Sequence, residues 1–428
     1  MANQRSDGTD FALVKIVDGR DQLEYPAGTR LHSAEGYLSD PRVSPDGTRV
    51  AFFEHPSRFD DRGFVKVVDR TGKVTTIAGE FWGMEGLAWT PGGASVYFAA
   101  SDRAAEGRPV GALSYQVYEA RADGTTPATQ PHTSPGDFTI HDIAPDGRWL
   151  ATRDEIRFGV VARGAGQSEE RDVSWLNKCW GPFLSPNGDA VMFSDGNGGA
   201  NYTVTWRKTD GSPVTKLGEG DTAGWSPDGK WALGFVTSRN ETVLYPIGAG
   251  EPRKLDTKPL THVSQVLWLD SSALLVFGNE PGRAPRAYRL PISGGPAEPI
   301  LTEGVFPAIV APGGRRVLGF DKKGSAALYS LDGDAAKPFP SIGDDNPFAF
   351  SDDGRAIFVL KPASIPAKVD RIDIATGQRT FFREFGPSDR TGLVRLSFTD
   401  SVLKADGSQY AYSYVKRPST LFLVTPKK

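Results

Sequence analysis

Five histidines, one cysteine and a scatter of carboxylates are the side chains of this 428-residue chain best suited to acid–base, nucleophilic or metal chemistry. His32, His55, His132, His141 and His262 are dispersed, with no HExxH or His-x-His spacing to set two ligands on one face. Cys179 lies between Lys178 and Trp180, and a neighbouring cation can lower a thiol pKa. With no identifiable histidine partner, it reads as a small buried residue entering a strand. Asp195-Gly196-Asn197-Gly198-Gly199-Ala200-Asn201 is as oxygen-rich as a calcium loop but lacks the bidentate acid at its end, so it reads as a hairpin loop. His141-Asp142 and Arg153-Asp154 flank one turn and read as a structural hydrogen-bonded cluster. The nearest string to a nucleophile elbow, Gly224-Trp225-Ser226-Pro227-Asp228-Gly229, has Pro after the serine, where the elbow turns from strand to helix. Walker, HRD, DFG and Gly-rich kinase signatures are missing as well. The expectation is a chain that is not an enzyme, with no catalytic residue, no cofactor and no metal.

Composition sets the wider frame. Lys and Arg number 49 against 52 Asp and Glu, a formal charge of -3. Without a basic surplus, nucleic acid is not expected as a partner. Hydrophobic residues at 39% can fill a core, and a single Cys rules out an intrachain disulfide. No apolar run approaches the roughly 18 residues of a membrane helix, and MANQRSDGTD carries no leader-like segment, so a soluble protein of unknown compartment is expected. Gly 49 and Pro 32 point to many tight turns.

Those turns belong to a repeat. An apolar strand, a Ser-Pro-Asp-Gly turn and a second apolar strand recur, as in Ser39–His55, Trp180–Gly196, Thr222–Ser238 and Asn346–Pro362. Ten copies, marked by their last turn residue, run from Gly8 to Gly407 with a mean spacing of about 44 residues, the length of a four-stranded blade. Second hairpins such as Val65–Ile77 and Arg371–Phe382 complete the blades. Trp89, Trp149, Trp225, Trp231 and Trp268 fall inside the repeat hairpins and read as packing between blades. Trp82, Trp175, Trp180 and Trp206 fall at their edges, where an aromatic ring suits a ligand. The fold class predicted is all-β, a tandem β-propeller of antiparallel four-stranded blades.

The strings QLEYPAGTRL (Gln22–Leu31), PRVSPDGTRVAFFEHP (Pro41–Pro56), HDIAPDGRWLATRD (His141–Asp154), Gly198–Gly220 and Asp406–Val424 carry a resemblance. The repeats resemble WD40-like propellers of the TolB type. The whole chain is similar to the C-terminal propeller region of bacterial, acidobacterial-type serine/threonine protein kinases, here without the kinase domain. The resemblance implies a sensor that binds an unknown protein, peptide or small molecule, extracytoplasmic if attached to a membrane-anchored kinase. Other readings are a TolB-like periplasmic scaffold and a propeller lyase or glycoside hydrolase with a channel site.

Ten blades exceed one ring of four to eight. The expected division is an incomplete four-bladed propeller at 1–166 and a six-bladed one at 167–428. The opening RSDG turn at 5–8 is expected to have been preceded by further blades. A strand near Glu169–Val173 is expected to add the missing fourth strand after Leu421–Val424. All Ser-Pro-Asp-Gly turns then share one face of their ring. The opposite mouth collects Trp82, Glu85, His141, Arg153, Asp154, Trp180, Asp195, Asn279, Glu280, Asp321, Lys416 and Arg417, the expected partner surface because it is polar and varied.

Overall fold

The computed structural model describes residues 2–4, 10–18, 20–56, 62–101, 115–131, 137–197, 201–362, 364–398, 403–404 and 406–425. The RSDG turn, His132 and Gly198–Ala200 lie outside them. The described chain forms ten antiparallel sheets, eight of four strands and two of three. Its helical elements are Thr237–Arg239 and Pro340–Ile342. This is the architecture of tandem propeller blades.

The turn residues explain why each blade starts as a hairpin. Ser44 Oγ donates to Asp46 Oδ1 at 2.6 Å and accepts from the Arg49 N–H at 3.0 Å. Ser226 with Asp228 and Trp231, and Ser351 with Asp353 and Ala356, repeat the same bonds. Gly47, Gly229 and Gly354 close these turns at φ of 71, 71 and 65°, where a side chain is strained. Tryptophan then ties three of the blades to the one before. Trp89 Nε1 donates to the Arg42 carbonyl at 2.9 Å, Trp225 Nε1 to Phe183 at 2.9 Å and Trp268 Nε1 to Gly224 at 3.2 Å.

Two compact units result, one of Met1–Glu155 with Pro418–Lys428 and one of Ile156–Arg417. The first holds four sheets and the second six. In the second, one sheet is assembled from both ends of the unit in the order Arg171–Asp172, Arg157–Arg163, Tyr410–Lys416, Leu393–Ser397. A single core joins it to its neighbours on either side: Val160, Tyr410 and Tyr412 pack with Phe193 from the following sheet and with Phe358 and Phe385 from the last. The ring of six is closed.

Strand exchange between the two ends of the second unit departs in part from the sequence expectation. Ser419–Val424 pairs with Trp149–Asp154 in the first unit, and Arg157–Arg163 takes the third place beside Tyr410–Lys416, while Arg171–Asp172 does supply the fourth strand of that sheet, as expected. Pro418 has no N–H, so the ladder of Tyr410–Lys416 ends there, and the Pro418 carbonyl accepts from Glu155 N–H instead. The compact units accordingly divide at 155/156 rather than 166/167, because Arg157–Arg163 pairs with Tyr410–Lys416, and the chain's last strand returns to the first unit.

Candidate functional site

Most of the expected mouth residues are held by near neighbours. In the four-bladed unit, the Thr139 hydroxyl lies 3.2 Å from Glu85 Oε2 and 3.5 Å from Asp154 Oδ2, and Ser419 Oγ donates to Asp154 Oδ1. Glu85 and Asp154 are thus brought together through Thr139, a residue that its type alone did not single out. His141 Nε2 meets Thr152 Oγ1 at 3.0 Å. Arg153 pairs with Glu155 at 3.0 Å and lies over the Phe422 ring, while its buried Nε has no hydrogen-bond partner among the described residues. Trp82 carries the Arg62 guanidinium over its ring.

In the six-bladed unit, Trp180 Nε1 donates to Asp221 Oδ1 at 3.0 Å, and its ring meets Tyr202 edge-on. Burial pushes the Asp221 carboxyl up, against the Ser194 and Trp180 hydrogen bonds. Asp195 is fully buried; its Oδ1 accepts from both nitrogens of Asn197 at 2.9 Å, and Lys216 Nζ approaches Oδ2 at 3.5 Å. Asn279 Nδ2 donates to the Glu280 carbonyl, and Glu280 Oε1 accepts from Tyr288. Asp321 accepts from the Lys323 and Ser325 N–H groups at 2.8 Å each, bonds that lower its pKa. Lys416 is paired with Asp389 at 2.6 Å, and Arg417 N–H donates to Gly392. These are local pairs on separate blades, and they hold loops and strand ends in place. Cys179 is buried, and burial raises its thiol pKa, away from a reactive thiolate.

The convergent place is on the other side of the ring. A cavity of about 360 Å³ opens at the centre of the Ser-Pro-Asp-Gly face, and all six sheets of the second unit reach it. Phe183, Trp225, Trp268 and Phe350 supply aromatic walls, and Pro186, Pro227 and Pro312 the turn rims. Asp352 and Lys404 are its charged lining residues. The indole hydrogen bonds of Trp225 and Trp268 to the preceding sheets fix two walls rigidly. Such a site offers stacking and apolar burial with one group of each charge at the rim, which suits a ligand combining apolar bulk with polar ends. The sequence signal for it was present, since six lining residues, Leu184, Trp225, Trp268, Val310, Phe350 and Leu403, recur at one offset before the turn.

No family model and no curated protein matches the chain. Among solved structures, it is similar to a puromycin-hydrolyzing peptidase of Mycobacterium tuberculosis, with 15% identity, TM-score 0.39, and coverage of 73% of this chain and 55% of that one. It is also similar to a prolyl endopeptidase (13%, TM-score 0.27, 93% and 51%) and to the tricorn protease (12%, TM-score 0.28, 90% and 45%). The chain spans about half the length of each.

The expectation of a chain that is not an enzyme is withdrawn: the structures it is similar to are named as peptidases or a protease, a naming that belongs to them. The physical reason is general: missing linear motifs exclude only motif-borne sites, whereas a ring gathers residues from separate blades. Among the described residues, no helix is long and apolar enough to cross a membrane.

Proposed function

We propose that the chain is a binding propeller whose closed six-bladed ring takes a peptide, protein segment or small molecule in its turn-side cavity, as the sensor part of a bacterial serine/threonine kinase system. The sensor role is supported by the resemblance of Pro41–Pro56, His141–Asp154 and Asp406–Val424 to kinase-associated propellers. The observation that carries the site is convergence: residues from all six blades line one aromatic cavity, while polar residues of the opposite mouth are engaged in local pairs. The test is peptide selection on the immobilised protein, followed by affinity measurement against Lys404→Glu, Asp352→Lys and, at the opposite mouth, Asp321→Lys. Binding weakened by the first two and untouched by the third supports the cavity. Binding that follows Asp321 alone rejects it.

One observation favours a second reading, a lyase or hydrolase site in the four-bladed unit. Glu85 and Asp154 approach one hydroxyl, as paired carboxylates must to share acid–base work. Turnover of a polysaccharide that disappears in Glu85→Gln and survives Lys404→Glu would establish it.

A further inference from the structure

Nine of the ten sheets cover their third strand. In eight, a fourth strand does so, and in the remaining one Thr129 exchanges two backbone hydrogen bonds with Glu119. The exception is the sheet Asp137–Ile143, Trp149–Asp154, Ser419–Val424, where the last strand has no outer neighbour among the described residues. Leu421, Phe422 and Leu423 on this strand are 63, 36 and 59% exposed, and Leu150, paired with Leu423, is 39% exposed.

This edge also lacks the protection seen on the others. The outer strands elsewhere contain charge, two of them with proline: Arg30–Ala34, Val74–Phe81, Arg171–Asp172, Thr215–Glu219, Arg253–Leu255, Glu298–Pro299, Lys337–Pro338 and Arg379–Phe385. Charged and proline-bearing edges discourage a second chain from adding on. Ser419–Thr425, STLFLVT, has neither charge nor proline. It is also close to symmetric about Phe422. Leu421 mirrors Leu423, Thr420 mirrors the similarly shaped Val424, and Ser419 mirrors Thr425.

We propose that this strand pairs with the same strand of a second copy of the chain, antiparallel about a two-fold axis through Phe422, so that two three-stranded sheets become one. The segment itself carries no charge, and Arg153, which lies over the Phe422 ring, is paired with Glu155, so two identical strands can meet and each outward N–H and C=O gains a partner. Leu421 falls opposite the second copy's Leu423, Thr420 opposite its Val424, and the two Leu150 side chains extend the apolar strip. An isologous contact of this kind closes at two copies. The inference is independent of the cavity in the six-bladed ring.

Sedimentation velocity across a concentration series should show monomer converting to dimer. The double variant Leu421→Lys with Leu423→Lys should weaken the dimer at least about tenfold while its melting curve stays the same, because both side chains are exposed. On mild oxidation, Phe422→Cys should form a covalent dimer and Thr420→Cys should not, because only position 422 faces itself; Cys179 is buried and does not compete. A wild-type monomer at every concentration overturns the proposal, as does a dimer indifferent to the lysines. Cross-linking at position 420 but not 422 overturns the two-fold register.

Discussion

The two units use the same hairpin and end differently. In the six-bladed unit, strands from both ends of its segment share a sheet, and aromatic packing runs through that sheet from one neighbour to the other. The seam is reinforced by hydroxyls: Tyr410 and Tyr412 donate to the two oxygens of Glu170 at 2.9 Å, and Tyr414 donates to Asp172 at 2.6 Å. Burial and the Glu170 charge push the Tyr410 hydroxyl up to about 12, so these donors keep their protons at neutral pH. In the four-bladed unit, the first sheet packs on the second through Ala12, Leu23, Leu38 and Phe52, and the fourth on the third through Ile140, Trp149, Ala88 and Val117. Among the described residues, no core cluster joins the fourth sheet to the first. Sequence repeats therefore make blades, while closure depends on who supplies the last strands. A closed ring also presents six turns to one axis, and that is where the cavity forms.

The largest expected effect lies at the seam. Tyr412→Ala should cost the six-bladed unit about 3–5 kcal/mol by chemical denaturation, since it empties a fully buried ring position and strips Glu170 of a donor. A loss below about 1 kcal/mol would mean that closure does not rest on this sheet. Gly229→Val should cost about 1–3 kcal/mol through its positive φ alone, because the nearest atom to an added Cβ is Pro186 Cδ at 3.8 Å. An unchanged melting temperature would contradict the turn geometry. Trp225→Phe should cost about 1 kcal/mol, the order of one hydrogen bond to Phe183.

The most selective prediction concerns acid. Glu54, in the four-bladed unit, is bonded to His32 at 2.6 Å and Lys66 at 2.7 Å, and those bonds hold its carboxyl at about 2 against an ordinary 4.5. A depressed carboxylate stabilises the folded state above its unfolded pKa, and that stability is lost as pH falls from about 4.5 towards 2. Glu54→Gln should flatten the acid limb of the first unit's unfolding curve, followed by the fluorescence of Trp82 and Trp89. An acid limb of unchanged slope would remove Glu54 as its cause.

Much of this was legible in the residues. The Ser-Pro-Asp-Gly turns, the blade period and the tryptophans between blades all follow from local chemistry that repeats: a hydroxyl bridging to an aspartate, a glycine at positive φ, an indole four residues before the turn glycine. Strand exchange was not legible, because alternation marks Ser419–Val424 as a strand without naming its partner, and only the break at Pro418 hints at a change of sheet. The surroundings of the mouth residues were not legible for a related reason. Long polar side chains such as Glu280, Asp321 and Lys416 look available in sequence but are held by Tyr288, by backbone N–H groups and by Asp389. The turn residues looked purely structural, yet Pro186, Pro227 and Pro312 rim the cavity.

Hydrogen exchange with and without a selected peptide tests the central claim most directly, because it reads both units in one experiment. Bound peptide should slow exchange in the segments of the six-bladed ring around Ser185–Asn187, Ser226–Gly229 and Ala311–Gly314, with little change in the four-bladed unit. Protection confined to the opposite-mouth segments around Asp195, Glu280 and Asp321, or to the four-bladed unit, would contradict a binding site built by ring closure.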